Sequence, residues 1–487
     1  MVGKKNVWLW IVVWVAFWLR GYWMLDPDFG WHVRMGEVIL ESGIPLTDPF
    51  SYTMAAFPFV DHEWLTNVLM YLGYRSIGMV GLAAVFATLA VAALAVAVRG
   101  GRGKWWEMAV ILVGVVWLGR GGVRPQVLDW LFLGGEWAWL LSHRWWKKWR
   151  WLMPVYLAVW ANLHGGFALG VMVLVAVLGA KMVSERKIDL PDLGVMVLGA
   201  VATFINPYGG QLWWEVWSQA SESSFFRRTV AEWQPWYAAT ELGFWLLGAM
   251  SLVLMWRYRR KFDLRHWGMW GGFLVLGTST LRHAALFAAV AGPMLVRGWE
   301  LMEEEFSGEK EKKARVERFY KLVLAVVGIV AVVEGGVGLA GARQLTPEKF
   351  YPEKALEWIK VNPTKGEIFS SYGWGGYLIW KLPERRVFVD GRMAGWQWKS
   401  PYPDQADWIF KDYIKMIWGE ADIGPYLEKY GVGVVLWPVK KEKKALINLS
   451  WLGKKDKGKG FDMAVEMEKL GWALVYTDDT AEIYLKP

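Results

Sequence analysis

The chain has 487 residues, 55% of them hydrophobic, with 38 tryptophans, no cysteine and a formal net charge of +9. The absence of cysteine excludes a disulfide, a thiolate nucleophile and a zinc–thiolate site. The positive charge does not mark a nucleic-acid binder, because Lys and Arg sit mainly in short loops between apolar runs, where membrane topology accounts for them.

Taken in chain order, runs long enough to cross a bilayer, or nearly so, occur at 7–25, 77–98, 105–119, 126–142, 151–163, 166–182, 192–205, 241–256, 267–281, 284–299 and 320–341. They predict about eleven spanning helices. The tryptophan excess fits so many helix ends, since an indole at the membrane–water interface keeps its ring apolar and its N–H wet. No small-residue cleavage site follows the first run, which reads as a retained helix rather than a signal peptide. Lys4 and Lys5 precede it, and the loops 99–104, 143–150, 181–187, 257–265 and 297–321 are basic. With eleven spans, all of these fall on the side of the N-terminus, so that side is cytoplasmic. The chain is expected in the plasma membrane, with the N-terminus inside and the C-terminal domain outside.

The outer face then holds 26–76, 120–125, 162–165, 206–240, 282–283 and everything after about 342. In the first outer loop (26–76), Asp28–Ser42 and Glu63–Arg75 have helical spacing around a proline-rich turn, and QLWWEVWSQ within 206–240 reads as an interfacial helix. After Ala342 the pattern changes to alternating elements. Helices are expected at Pro352–Val361, Tyr372–Leu382, 405–418 and 423–430, and strands at Glu367–Ser370, Arg386–Asp390, Gly431–Trp437, Trp472–Thr477 and Glu482–Leu485. The expected architecture is an α-helical polytopic membrane domain (1–341) followed by a soluble α/β domain (342–487).

The unusual polar residues of the apolar half gather on that outer face, at helix ends. They include Asp26, Asp28, His32, Asp48, Asp61, His62, Glu63, Arg120, Arg124, Asn162, His164, Asn206, Glu232, Arg282 and His283, and so four of the six histidines. Ionisable groups near membrane depth are costly and tend to line a cavity, so a shared extracytoplasmic site is the sharper reading, against scattered caps and anchors. Asp26 and Asp28 could hold a divalent cation (Mg2+ or Mn2+), or one could act as a general base; Asp28 could equally cap the helix after it. Arg120, Arg124 and Arg282, with His164 and His283, suit a phosphate. His32, His62, Glu63, Asn162 and Glu232, with Tyr372 and Trp374 of the tail, are candidates for acceptor or substrate binding.

These residues lie in segments that resemble a known group. LDPDFGWHVRMGEVILESGIPLTDPFSYT and DHEWLTNVLMYLGY resemble the first outer loop of prokaryotic GT-C membrane glycosyltransferases. VRPQ, WANLHGG, INPYG, AEWQP and LRHAALF follow in the order of that group's recurrent motifs. The resemblance implies a GT-C fold and transfer of a sugar from a polyprenyl-phosphate (dolichyl-phosphate) donor to a glycan, lipid or protein acceptor, with inversion. It places the base at Asp28, with Asp26 second, and requires no cofactor. SSYGWGGYLIW and VFVDGRM resemble the segment after the last span of the oligosaccharyltransferase catalytic subunit. The WWDYG motif of that subunit is absent here: Ser371-Tyr372-Gly373-Trp374-Gly375 stands in its place. Two other readings stay open. One is oligosaccharyltransferase-like transfer from a lipid diphosphate. The other is a transporter or flippase of a lipid-linked solute, against which stands the lack of an internal repeat.

Overall fold

The computed structural model describes residues 7–99, 101, 105–221, 229–235, 241–306, 310–440 and 461–487. The chain divides into two compact units, one of Met1–Leu25 with Val60–Arg343 and one of Asp26–Phe59 with Gln344–Pro487.

The first unit is helical throughout. Each apolar run of the sequence becomes a helix: Val7–Trp23, Trp64–Ala97, Trp105–Leu118, Gln126–Leu141, Met153–Leu163, Phe167–Glu185, Leu190–Ala202, Leu242–Arg257, Leu264–Ser279, Ala284–Phe306 and Lys310–Ala342. Among the described residues, Trp64–Ala97, Phe167–Glu185, Leu281–Phe306 and Val316–Ala342 are long and apolar enough to cross a membrane by length and composition; Val7–Trp23, Trp105–Leu118, Leu190–Ala202 and Leu242–Arg257 are shorter apolar helices. This is a polytopic helical membrane protein with a C-terminal domain. Leu281–Phe306 is the most enclosed of the four, with 83% of its apolar window buried, whereas Val316–Ala342 is largely exposed along its length. An exposed apolar helix of this kind fits contact with lipid.

Two local features deserve a physical account. The helix Trp64–Ala97 contains one non-helical residue, Gly78 (φ 62°, ψ −174°). A positive φ is cheap for glycine alone, and no neighbour crowds its Cβ position, so the requirement is conformational. The break separates the expected surface helix Glu63–Arg75 from the expected span beginning at 77. Arg20 is a cation in the last turn of an apolar helix, and it is buried. Its guanidinium donates to the carbonyls of Gly121 (2.8 Å), Gly338 (2.7 Å) and Gly119 (2.8 Å), so the charge is solvated by backbone that helix ends leave without partners.

The second unit is built on a four-stranded sheet in the order β1 (Glu367–Ser370), β2 (Val432–Pro438), β4 (Ala481–Leu485), β3 (Ala473–Thr477). β1 runs parallel to β2; β4 is antiparallel to both of its neighbours, and β3–β4 is the expected terminal pair. Helices Glu353–Val361, Gly375–Lys381, Ile409–Ile417, Gly424–Lys429 and Met463–Lys469 complete it. The expected strand Arg386–Asp390 is corrected: it forms no strand. Val387 alone bridges, to Ser51 on one side and Ile368 on the other. The backbone then turns at Asp390, whose carboxylate caps the 3-10 turn Gly391–Gly395 by accepting from Arg392 N–H at 3.0 Å.

Segment Asp26–Phe59 is an integral part of this unit. Its helix Phe29–Ser42 crosses helix Gly375–Lys381 at two glycines. A Cβ at Gly30 would lie 2.1 Å from the Gly376 carbonyl oxygen, and one at Gly376 would lie 2.2 Å from that of Pro27. The two backbones touch, which only glycine permits. Arg392 secures the rest. Its side chain is buried and pairs with Asp48 at 2.9 Å and Asp390 at 2.7 Å, ringed by Phe50, Phe59, Trp396 and Trp31. Those two acids hold its guanidinium above its ordinary pKa against the pull of burial.

Candidate functional site

The structure sorts the polar residues into three groups, two in the membrane unit and one in the sheet-containing unit.

In the sheet-containing unit, Asp28 directly precedes helix Phe29–Ser42 but does not cap it with its side chain. Its carboxylate has other partners: Oδ1 accepts from Trp31 Nε1 at 3.0 Å and lies against Gly391, where a Cβ would come within 1.9 Å. Asp26 is buried and fixes the turn, its Oδ1 accepting from the Asp28 N–H at 3.0 Å. Tyr351 lies beside both. Burial, then the charges of Asp26 and Asp28, push its hydroxyl well above the usual tyrosine range, so it stays protonated and able to donate. Tyr372 belongs to the same cluster through its hydroxyl, which donates to the Gly391 carbonyl at 3.3 Å. Trp374 is buried, with its indole N–H on the Phe350 carbonyl at 2.8 Å; His32 is buried against the Trp31 ring, with centroids 3.8 Å apart. These two build the wall of the cluster rather than its open side. Among the described residues, Asp26 and Asp28 share no group of three His, Cys, Asp or Glu ligands close enough to grip one ion.

In the membrane unit, the arginines differ in how fully they are engaged. Arg120 is committed to structure: Nε donates to the Leu281 carbonyl (2.6 Å), one terminal nitrogen to Val116 (3.0 Å), and the other pairs with Glu241 (2.6 Å). Arg124 pairs with Glu232 at 2.5 Å. Burial opposes ionisation of Glu232, but Arg124, Arg282 and Arg120 together hold its carboxyl below the usual range. Arg282 lies over the Trp233 ring at 5.5 Å, and His283 makes a 2.8 Å contact with Thr280 Oγ1. Among these groups the three guanidiniums face two paired carboxylates, Glu232 and Glu241, which leaves a surplus of one positive charge.

The third group, also in the membrane unit, joins the start of helix Trp64–Ala97 to the turn between helices Met153–Leu163 and Phe167–Glu185. Asn162 is the pin. Its Oδ1 accepts from Trp64 Nε1 at 3.0 Å, and its Nδ2 donates to Ala158 (2.8 Å) and Ile205 (2.7 Å). His62 Nε2 meets Glu63 Oε1 at 3.0 Å. Burial pulls the His62 imidazole down, but the hydrogen bond and charge of Glu63, then Glu215 and Asp61, raise it overall. Asp61 itself is pushed up to about 6 by burial and by Glu63. His164 Nδ1 sits 2.6 Å from Asp129 Oδ2 and 3.2 Å from the Gly166 N–H. The shorter, charge-assisted contact decides the tautomer: Nδ1 carries the proton.

Several of these partners escaped the sequence reading: Asp129, Glu241, Tyr351, Gly391 and Arg392. Asp129 had a signal, since an acid inside an apolar run needs a buried partner. Gly391 had none, because close backbone approach leaves no compositional trace.

No protein-family model matches the sequence, and no curated protein matches it. Solved structures do. The crystal structure of the Archaeoglobus fulgidus oligosaccharyltransferase in the apo form is similar over 89% of this chain and 70% of that one, with TM-score 0.56 and 12% identity. ArnT from Cupriavidus metallidurans in the apo state is similar over 99% of this chain and 98% of that one, with TM-score 0.50 and 15% identity. The likeness is one of fold: this chain has the fold of that oligosaccharyltransferase and of ArnT.

Proposed function

We propose that the protein is a membrane glycosyltransferase that moves a sugar from a polyprenyl-phosphate donor to an acceptor hydroxyl at the outer face of the plasma membrane, inverting the anomeric carbon. The observation that carries this reading is the state of Asp28. The residue is partly exposed, and its carboxylate is spared from capping and oriented by Trp31 Nε1 at 3.0 Å, with Gly391 making room for it. That is what a general base needs: a fixed position, an accessible oxygen and a nearby hydrogen-bond donor.

Asp28 takes the proton of the acceptor hydroxyl as that oxygen bonds to the anomeric carbon. The bond from that carbon to the phosphate oxygen breaks, and the lipid phosphate leaves with the bonding pair. Asp26 and Tyr351 are positioning residues for Asp28. Within the membrane unit, Arg282 and Arg124 are the cations suited to a lipid phosphate, because Arg120 is already satisfied by two carbonyls and Glu241. No step is routed through a cation at Asp26 and Asp28.

The test is Asp28→Asn in the full-length protein, with glycolipids and glycans of the host read by mass spectrometry. Loss of a sugar from the profile, with normal expression of the variant, is the expected result. A profile identical to wild type would move the base elsewhere. The same experiment addresses transfer of a whole glycan from a lipid diphosphate, since the missing mass is then an oligosaccharide rather than one sugar. Labelling of single cysteines introduced at the two termini of this cysteine-free chain tests the topology, with the C-terminal domain labelled from outside.

A further inference from the structure

The sheet-containing unit carries a groove that the transfer just described leaves unused. It is lined by most of the segment 397–408, by one face of helix Ile409–Ile417 and by Lys429, and its volume is about 1030 Å³. Small-ligand sites run to about 300–1,000 Å³, so this one has room for a short oligomer rather than a single ring.

The walls are preformed. Trp398 N–H donates to the Asp407 carbonyl at 3.0 Å, and the Asp407 carboxylate accepts from the Ser400 N–H at 2.9 Å. Gln405 Oε1 accepts from the Ala56 N–H at 2.8 Å, and the Ala406 N–H donates to the Thr53 carbonyl at 2.9 Å, which ties the segment to Asp26–Phe59. Helix Ile409–Ile417 buries Ile409, Phe410, Tyr413, Ile414 and Met416, which leaves Lys411, Asp412 and Lys415 to line the groove.

Two kinds of chemistry meet there. Tyr402 is 51% exposed, and Trp398 is half-buried, edge-on to Phe57 at 5.9 Å. Beside these rings, Lys399, Lys411, Lys415 and Lys429 stand against Asp407 and Asp412, so four positive charges face two negative ones. Burial raises the Asp412 carboxyl, while Lys415, Lys429 and Lys411 oppose that rise; three ammonium groups from two helices therefore converge on one carboxylate. Lys411 is held over the Trp408 ring at 5.7 Å and Lys429 over the Tyr430 ring at 5.0 Å.

An exposed aromatic ring takes the apolar C–H face of a sugar and leaves its hydroxyls wet. Ammonium groups take carboxylates, and Asp412 and the Gln397 amide accept from hydroxyls. A phosphodiester chain offers the two aspartates few hydroxyls and repels them. We propose that this groove binds an anionic oligosaccharide, a short chain of carboxylate-bearing sugars packed on Tyr402 and Trp398 and held by Lys411, Lys415 and Lys429. The inference does not rest on the transfer reading, and it is measured by binding rather than by activity.

The full-length protein, purified in a detergent without a sugar headgroup, is titrated calorimetrically at low salt. The probes are tetragalacturonate, maltotetraose as its neutral match, inorganic phosphate and a single-stranded oligonucleotide. Saturable binding of tetragalacturonate is expected, about tenfold tighter than that of maltotetraose or phosphate and weakening as salt is raised. The double change Lys411→Gln and Lys415→Gln should remove most of that difference, and Tyr402→Ala should weaken the binding of both oligosaccharides, with wild-type unfolding temperatures in each case. If the lysine pair fails to fold, the exposed Lys429→Gln makes the same comparison. Asp28→Asn should bind tetragalacturonate as wild type does. Failure of tetragalacturonate to bind, equal affinity for maltotetraose or phosphate, or tighter binding of the oligonucleotide would each overturn the proposal. So would wild-type affinity in the lysine and tyrosine variants, or loss of binding in Asp28→Asn.

Discussion

Two acidic stretches follow apolar or proline-rich sequence within the first outer loop, Asp26-Pro-Asp28 and Asp61-His62-Glu63, and their surroundings give them opposite chemistry. Around Asp28 stand an indole N–H that donates to it at 3.0 Å and, close enough to feel its charge, a tyrosine hydroxyl kept protonated by burial and by the two acids beside it. Around Glu63 the partners are two imidazoles, His62 Nε2 hydrogen-bonded to it at 3.0 Å and His164 Nε2 at 3.8 Å, the latter with Asp129 on its other nitrogen. The first carboxylate is partly exposed, and the second is buried between rings. Residue type alone did not separate the two.

The sharpest test of this contrast is Asp28→Asn. Removing a general base costs on the order of 10³-fold in rate. Sugar transfer by membranes bearing the variant should fall by about that factor, while the unfolding temperature of the purified protein stays at the wild-type level. A loss of both would show that Asp28 serves the fold rather than the reaction.

Next in size is Gly391→Ala. Its Cβ would come 1.9 Å from Asp28 Oδ1, so the carboxylate must rotate away from Trp31 or the turn must shift. A small misplacement of a reacting group costs about 10²-fold. The expected result is a drop in kcat of that order with little change in donor KM. A kcat equal to wild type would mean that the position of Asp28 against Gly391 is irrelevant to the reaction.

Much of this architecture was legible from hydropathy. Every apolar run became a helix, and the break expected between Arg75 and residue 77 falls at Gly78. The sheet was legible except at Arg386–Asp390. There the apolar residues Val387–Val389 mimic a strand, but the pairing edge is offered by an irregular segment near Ser51 and lasts one residue. What the sequence withheld was long-range. Asp48 and Asp390 are 342 positions apart, yet they share Arg392, which holds Asp26–Phe59 in the sheet-containing unit. Periodicity carries no information about such a pairing. The candidate residues were found by their expected side of the membrane, but the groups into which they fall are set by neighbours such as Asp129 and Gly391.

The buried group around Glu63 can be weakened from behind. In Asp129→Asn, the amide still accepts from Trp160 Nε1 but no longer balances the imidazole with a charge. A hydrogen bond to a charged group contributes about 1.5–3 kcal/mol, so the purified protein should unfold at lower temperature. Transfer should fall less than in Asp28→Asn. An unchanged unfolding temperature would mean that the contact of Asp129 with His164 does not hold the turn.

The smallest effect is expected at the arginines, and there the comparison lies within one cluster. Arg120 has each guanidinium nitrogen engaged by a carbonyl or by Glu241, whereas Arg282 rests on the Trp233 ring. A charge-assisted contact to phosphate contributes about 1.5–3 kcal/mol, which is about 10- to 150-fold in binding. Arg282→Gln should therefore raise the donor KM about tenfold and leave the unfolding temperature near wild type. Arg120→Gln should do the reverse: it strands Glu241 and two carbonyls, so the detergent-solubilised protein should unfold at lower temperature with donor KM little changed. The decisive control is Glu232→Gln, which releases Arg124 from its 2.5 Å partner and leaves both arginines in place. If phosphate binding depends on the surplus of positive charge in this cluster, that variant should bind the donor more tightly, by no more than about tenfold. A weaker affinity in Glu232→Gln would instead make Glu232 a contact of the acceptor or the sugar, and the cluster would have to be read as a polar recognition surface rather than a phosphate site.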